Sequence, residues 1–226
     1  MIHYHGADIN PILALYEMAG RHFCVSFLYP SHVSRVHSIG QSVMLDNGAF
    51  TAWRKGTEID WNKYYSWSDK WLDCPTTWAV IPDVVDGGPD QQDALIAQWP
   101  HGLKGSPVWH MHEPIDRLVR LTEEWQKVCI GSSAEYSTVL SDFWCHRMDM
   151  AWNAVSKKHK RLPWIHMLRG MACSGKRWPF ASVDSTDIAR NHHLPHKNPR
   201  MMADKWDGQQ CPSTWTIQPE QMELIA

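Results

Sequence analysis

A short segment around residue 184 combines the features of a catalytic nucleophile. The sequence Phe-Ala-Ser-Val at 180–183 alternates apolar and small residues, which predicts a short buried strand. Asp184 follows directly, beside the hydroxyl groups of Ser185 and Thr186. In a parallel α/β barrel the active site is built after the carboxyl ends of the strands, so a carboxylate there favours a catalytic role. The alternative is that Asp184 caps the next helix, because Asp, Ser and Thr are good N-caps.

Other polar residues follow predicted strands in the same way. They are Asp46 after 42–45, Asp83 after 77–81, His110 after 107–109, Gly131 and Ser132 after 128–130, and His166 within 163–167. Each has a purely structural alternative: Asn47-Gly48 is a common turn, Gly131-Ser132 is a common helix entry, and one His in an apolar strand is often a core residue. Together, three carboxylates and several His at strand ends predict one shared rim.

The elements that position these residues alternate between strands and helices. Apolar runs predict eight strands, at residues 2–5, 23–27, 42–45, 77–81, 107–109, 128–130, 163–167 and 180–183. Helical patterns cover 60–72, 90–98, 114–126 and 136–158, and a first helix runs to about Gly20 with Asn10 as its cap. This alternation predicts an α/β chain folded as one compact (β/α)8 barrel of the TIM type over residues 1–191. Residues 192–226 are predicted to be an irregular tail packed on the barrel.

Composition indicates the class of protein. A chain of 226 residues, 43% hydrophobic and 20% charged, is long enough for one large domain with a substantial core. No long apolar segment and no secretory leader is visible, so we expect no membrane association and a cytoplasmic location. The six cysteines include no Cys-x-x-Cys pair, which argues against a disulfide framework and a zinc ribbon.

Charge is unevenly distributed along the chain. The net charge is −2, but residues 1–113 carry 7 Lys or Arg against 12 Asp or Glu, and residues 114–226 carry 15 against 12. The basic residues considered as contacts to a nucleic-acid backbone are Lys157, Lys158, Lys160, Arg161, Lys176, Arg177 and Arg190. If they share a face with Asp184, they form a phosphate-binding rim. The alternative is a set of solvated helix ends.

Four of these segments, in this order, resemble motifs of the tRNA-guanine transglycosylases. More closely, they resemble the shorter phage relatives that insert 7-deazaguanines into DNA. Residues 46–50, Asp-Asn-Gly-Ala-Phe, resemble an Asp-Ser-Gly-Gly-aromatic motif, and Asp83 follows its strand as the family's base-reading Asp does. Residues 131–135, Gly-Ser-Ser-Ala-Glu, are similar to a Gly-Gly-Leu-Ala turn with its later Glu. Residues 183–191 resemble the nucleophile segment, which ends in Ala-Arg-Asn, with a shorter spacer.

The resemblance implies a role for each strand-end residue. Asp184 would trap C1′ of the sugar covalently, Asp46 would move the proton, and Asp83 would accept from guanine N1–H and the N2 amino group. The other residues implied in base binding are Phe50, which would stack on the base, with His110, Gly131, Ser132 and His166. The implied activity is exchange of guanine in DNA for a free 7-deazaguanine base, a phage modification that protects DNA from restriction. A duplex base must be flipped out to reach such a pocket.

The sequence differs from the family in ways that narrow the class of nucleic acid expected as substrate. The tRNA enzymes carry a Cys-x-Cys-x-x-Cys zinc element with a distant His, which this sequence lacks. The resemblance therefore implies DNA rather than tRNA, a barrel without the zinc-binding insertion, and no required cofactor. The residues of the tail that could hold a metal, His192, His193, His196 and Cys211, fit no zinc spacing.

Two other functions are compatible with the sequence. His3 and His5 after the first strand, with His110, His112, His166 and Asp184, loosely resemble the ligands of a metal-dependent amidohydrolase barrel. A barrel without catalytic activity that only binds DNA or a protein is the second alternative. tRNA also stays open as the substrate of a transglycosylase, and the sequence leaves the oligomeric state open.

Overall fold

The structure, a computed structural model, describes residues 1–219 of the chain. Over this range the backbone forms an α/β fold around nine parallel strands. The strands are β1 (Ile2–Gly6), β2 (His22–Ser26), β3 (Ser42–Asp46), β4 (Thr77–Val80), β5 (Gly105–Ser106), β6 (Val108–His110), β7 (Lys127–Gly131), β8 (Trp164–Met167) and β9 (Ser182–Ser185). Their order in the sheet is β5-β4-β3-β2-β1-β9-β8-β7-β6.

The sheet is nearly closed into a barrel. Its two end strands, β5 and β6, are separated in the chain by Pro107 alone. The carbonyl of Ser106 accepts from the Ile81 N–H beyond β4 at 3.0 Å, and the carbonyl of Pro107 accepts from the Cys129 N–H in β7 at 2.8 Å. The two ends of the sheet therefore meet at Pro107.

The prediction of eight strands is corrected at this position. The sequence predicted one strand over 107–109, whereas the structure has β5 before Pro107 and β6 after it. Proline has no N–H to donate to a neighbouring strand, so the ladder is interrupted there. The described residues thus form one barrel-like sheet of nine strands.

Helices cover the outside of the sheet. They are α1 (Ile12–Tyr16), α2 (Val33–Ile39), α3 (Ala49–Lys55), α4 (Trp61–Leu72), α5 (Pro89–Gln98), α6 (Ile115–Glu124), α7 (Asp142–Lys158), α8 (Asp187–Asn191) and α9 (Pro199–Asp207). Side chains of Asp60, Ser141 and Asn198 cap α4, α7 and α9 by accepting a backbone N–H. The sequence did not predict α2 and α3, and α1 has Pro11 rather than Asn10 at its N-cap position. Between β8 and β9 the described chain has only a short 3-10 turn, Met171–Cys173.

The C-terminal segment was predicted to be irregular, and this is wrong for residues 199–207. They form α9, which packs on the barrel and buries Pro199, Met202 and Ala203, because positions i, i+3 and i+4 lie on one face of a helix. The last residue of α9, Asp207, accepts from the Arg21 guanidinium at 2.7 Å. Residues 192–198 and 208–219 form neither helix nor strand, as predicted, and residues 220–226 lie outside the described residues.

The interior of the barrel is packed with side chains. It holds Tyr4, Met44, Trp78, Val80, Val108 and Cys129. Successive strand residues point to opposite faces, so Tyr4 points inward while His3 and His5 point outward. Among residues 1–219, none of the helices has the length and apolar character needed to cross a bilayer.

Candidate active site

A cavity of about 880 Å³ opens at the carboxyl ends of the strands. It is the place where a parallel barrel concentrates functional side chains, because every strand ends there. Eight of the predicted site residues line it: Asp46, Phe50, Asp83, His110, Gly131, Ser132, Asp184 and Arg190. The structure therefore brings the three carboxylates into one cavity.

Asp184 is held through one carboxylate oxygen. Its Oδ1 accepts from the backbone N–H of Arg169 at 2.6 Å and lies 3.2 Å from His166 Nε2. The side chain is nearly buried, at 11% exposure. Since both contacts fall on Oδ1, the second oxygen, Oδ2, is left to face the cavity that the residue lines.

A chain of hydrogen bonds orients the His166 ring beneath Asp184. Trp164 Nε1 donates to Ser182 Oγ at 2.9 Å, and Ser182 Oγ lies 2.8 Å from His166 Nδ1. Because a carboxylate only accepts hydrogen bonds, the contact with Asp184 Oδ1 is donated by the N–H at Nε2. In the neutral imidazole Nδ1 is then the acceptor, and the Ser182 O–H donates to it.

This geometry corrects two interpretations from the sequence. His166, predicted to bind the base, is fully buried beneath Asp184, where it contacts the Oδ1 oxygen and does not line the cavity. Asp184 does not cap the helix that follows, because the Asp187 N–H is accepted by Ser185 Oγ at 2.9 Å. The purely structural alternative for Asp184 is therefore not observed.

The pKa of Asp46 is strongly raised by its surroundings. Burial, followed by the negative charge of Asp184, raises its pKa from 3.8 to about 7. The backbone N–H of Gly48 donates to Asp46 Oδ2 at 3.2 Å and offsets only part of this effect. A carboxyl group with a pKa near neutrality can give and take a proton at physiological pH.

Asp83 is oriented from both sides. Asn47 Nδ2 donates to its Oδ1 at 2.7 Å, and His110 Nε2 lies 2.9 Å from its Oδ2. Asn47 is itself fixed, since Nδ2 also reaches the Ile81 carbonyl at 2.7 Å and its Oδ1 accepts from Ala49 N–H at 2.8 Å. Each carboxylate oxygen can accept a second hydrogen bond, so Asp83 retains capacity for two further donors.

The glycine at 131 is required by His110. A Cβ atom at this position would lie 2.9 Å from His110 Nδ1, which is closer than real side chains approach. The hydroxyl of the neighbouring Ser132 accepts from Trp144 Nε1 at 2.9 Å. The Ser132 side chain is thus occupied by the core, and its backbone is the part that faces the cavity.

Phe50 has a partner that the sequence did not predict. The guanidinium carbon of Arg169 lies 3.4 Å from the centre of the Phe50 ring, and Arg169 Nη2 donates to the Ser132 carbonyl at 3.2 Å. Arg169 has a backbone φ of +54°, an uncommon conformation for a residue other than glycine. This conformation brings its N–H to Asp184 while its side chain reaches across the cavity.

The predicted basic cluster lies elsewhere in the structure. Residues 157–161 join the end of α7 to the start of β8, which is the end of the barrel opposite to the cavity. Lys158 pairs there with Glu123 at 2.9 Å, and Arg177 pairs with Asp149 on α7 at 2.6 Å. Neither these residues nor Lys176 lines the cavity, so the condition that they share a face with Asp184 is not met.

Four basic residues line the cavity: Arg54, Lys55, Arg169 and Arg190. Of these, the sequence had singled out Arg190 alone. Arg54 and Lys55 end α3, the helix that begins at Ala49 within the motif of residues 46–50, and this position was the signal that could have identified them.

The metal-binding arrangements considered from the sequence are not assembled. His3 and His5 face Asp207 on the outside of the barrel, at 3.5 and 3.0 Å, and do not reach the cavity. His192 has both ring nitrogens against backbone carbonyls, of Ile188 and Asn10, each at 2.9 Å. The described residues contain no group of three or more His, Cys, Asp or Glu side chains placed to hold a metal ion.

No family model, curated protein or solved structure matches this chain.

Proposed function

We propose that the protein exchanges guanine in DNA for a free 7-deazaguanine base through a covalent sugar intermediate on Asp184. The observation that carries this proposal is the convergence of Asp184, Asp46 and Asp83 on one cavity beside Phe50. Each carboxylate has a different environment, which suits three different tasks. The exposed basic residues Arg54 and Lys55 at the same cavity suit a substrate with phosphates.

The proposal includes a more specific description of the fold than a nearly closed sheet of nine strands. We interpret β5 and β6 as one strand interrupted at Pro107, which makes the protein a (β/α)8 barrel. In such a barrel, catalytic residues come from the ends of several different strands. Asp46, Asp83 and Asp184 follow or end three of them, as in the transglycosylases that the sequence resembles.

The first half of the reaction breaks the bond between sugar and guanine. The Oδ2 oxygen of Asp184 attacks C1′, the C1′–N9 bond breaks, and its electrons leave with the base. Asp46, whose pKa of about 7 leaves about half of it in the acid form at neutral pH, gives its proton to a ring nitrogen of the departing guanine. His166 and the Arg169 N–H hold Oδ1, so that only one oxygen is free to attack.

The second half reverses these steps with a different base. The incoming 7-deazaguanine gives its N9 proton to Asp46, N9 attacks C1′, and the C1′–Oδ2 bond breaks. Formation of the sugar ester removes the negative charge from Asp184, which is one cause of the raised pKa of Asp46. The pKa of Asp46 therefore falls in the intermediate, and the residue changes from acid to base between the two halves.

Recognition of guanine follows from Asp83. Guanine presents N1–H and the N2 amino group side by side, and one carboxylate accepts both. The donors on Asp83 from Asn47 and His110 keep it oriented for this contact. A cavity of this kind at the surface receives a base only when it is flipped out or single-stranded.

The test of this function is incorporation of labelled guanine into guanine-containing DNA. We expect radioactivity to enter single-stranded or duplex DNA without any other cofactor, and a 7-deazaguanine to replace guanine on addition. An RNA anticodon hairpin is the comparison that separates DNA from tRNA as substrate. Release of guanine without incorporation would identify a glycosidase, and no reaction with either nucleic acid would refute the proposal.

Changing Asp83 to Asn should impair recognition of the base. The new amide group presents a donor to guanine's own donors, and leaving a buried donor unpaired costs about 1–3 kcal/mol. We expect the affinity for free guanine to fall roughly tenfold to hundredfold. Asp86→Asn, which changes an exposed carboxylate three residues away, is the matched control. Saturation of both variants at the wild-type guanine concentration would show that Asp83 does not read the base.

Binding of DNA should depend on the basic residues at the cavity. Replacing Arg54 and Lys55 by Gln should weaken binding to all sequences alike and reduce the salt slope by about 2, one for each lost phosphate contact. The matched control replaces Lys158 and Lys160 by Gln, since both lie at the opposite end of the barrel. The measurement is DNA affinity as a function of salt concentration for both double variants. A larger loss of affinity in the Lys158 and Lys160 variant would place the DNA at the end of the barrel opposite to the cavity.

A further inference from the structure

The Arg169 side chain lies where a base would stack on Phe50, and this affects the stability of a covalent sugar intermediate in the cavity. Its guanidinium carbon lies 3.4 Å from the centre of the Phe50 ring, which is the van der Waals contact distance of two stacked planar groups. A base stacked on the same face of Phe50 needs the same space. The guanidinium and the base therefore cannot occupy this position together.

The surroundings stabilise the guanidinium there when no base is present. Its Nη2 donates to the Ser132 carbonyl at 3.2 Å. Burial is the largest influence on this group and lowers the pKa of Arg169, whereas the carboxylates of Asp184, Asp46 and Asp83 act in the opposite direction. The ring contact, the hydrogen bond and the three carboxylates therefore oppose the cost of burying the charge.

A second cavity gives the side chain a place to go. It has a volume of about 490 Å³ and adjoins the first, with Phe50, Arg54, Val85, Ser132 and Arg169 lining both. The side chain can turn into this space while the backbone stays in place. The N–H of Arg169 then keeps its hydrogen bond to Asp184 Oδ1 in both positions.

We propose that the Arg169 side chain fills the base position whenever the cavity holds no base, and thereby protects the sugar ester on Asp184 from water. This inference rests on the proposed base exchange. After guanine leaves, the ester has two fates. N9 of a new base attacks C1′ and completes transfer, or water attacks C1′, the C1′–Oδ2 bond breaks, the water proton passes to Asp46, and the DNA is left with an abasic site. Arg169 selects between these acceptors by filling the space that water would enter.

The experiment measures the ratio of abasic sites formed to labelled guanine incorporated, in the same DNA and at the same time. Arg169→Ala keeps the backbone N–H on Asp184 but removes the side chain. We expect the ratio to rise at least tenfold in this variant, whatever the change in its overall rate of exchange. Arg169→Gly, which adopts a positive φ readily, is the second variant if the Ala protein is poorly folded. Arg169→Lys keeps the charge without the planar group, and its ratio should rise as well.

The outcomes separate this inference from the function on which it rests. An unchanged ratio in a variant that still incorporates guanine overturns the role of Arg169 and leaves base exchange intact. A wild-type ratio in Arg169→Lys also overturns it, because charge rather than occupation of the base position would then protect the ester. Absence of incorporation by the wild-type protein is the failure of the proposed function itself.

Discussion

Asp184→Asn should abolish base exchange, with a loss of roughly 10³-fold or more, while DNA binding stays close to that of the wild type. The amide is a poor nucleophile, so no ester to C1′ can form. Its carbonyl oxygen can still accept from the Arg169 N–H, which preserves the local structure. The measurement is incorporation of labelled guanine, with DNA affinity determined on the same preparation.

The matched control for this variant is Asp187→Asn. Asp187 lies three residues further along, contacts Asn191 and Trp206, and does not line the cavity. We expect the control to retain exchange activity. Substantial turnover by Asp184→Asn would show that another group attacks the sugar, and equal loss in both variants would indicate damage to the segment rather than to catalysis.

Asp46→Asn should lower the rate of ester formation by about 10²–10⁴-fold and remove its dependence on pH near 7. In the wild type the pKa of Asp46 is raised to about 7, so the acid form is abundant below that pH and is lost above it. Departure of guanine needs the acid form, and its rate should fall about tenfold per pH unit above 7. The measurement is a single-turnover rate of guanine release from pH 5 to 9.

The opposite half-reaction provides the internal control for Asp46. Attack by the incoming base needs the carboxylate, so its dependence on pH has the opposite sign, and its midpoint should lie lower because the ester has no charge at Asp184. A pH profile that is the same in wild type and Asp46→Asn would assign the proton transfer to a different residue.

The carboxylates of this site were predictable from the sequence, for a physical reason. Parallel strands of one sheet end at the same edge, so apolar runs followed by Asp46, Asp83 and Asp184 determine that these residues meet. The same reasoning, applied to connections, would have placed residues 157–161 correctly. They lie between a helix and the strand that follows it, and such a segment lies at the amino end of a parallel barrel.

Other features depend on information that residue types do not carry. The role of His166 is set by the direction in which its ring points from β8, and that of Arg169 by a backbone φ of +54°. Pro107 was visible in the sequence as a point where the fifth predicted strand could divide, but the pairing of β5 with β4 and of β6 with β7 was not. Asn47 resembled a turn residue, and only the packing shows that it also orients Asp83.

The most direct test is to look for the bond between Asp184 and DNA. The protein is mixed with a guanine-containing oligonucleotide and denatured within seconds, and the products are digested and analysed by mass spectrometry. We expect a DNA-protein adduct that survives denaturation, that maps to the peptide containing Asp184, and that disappears when excess guanine is added before denaturation. An adduct at another residue, or exchange of labelled guanine without any adduct, would contradict covalent catalysis by Asp184.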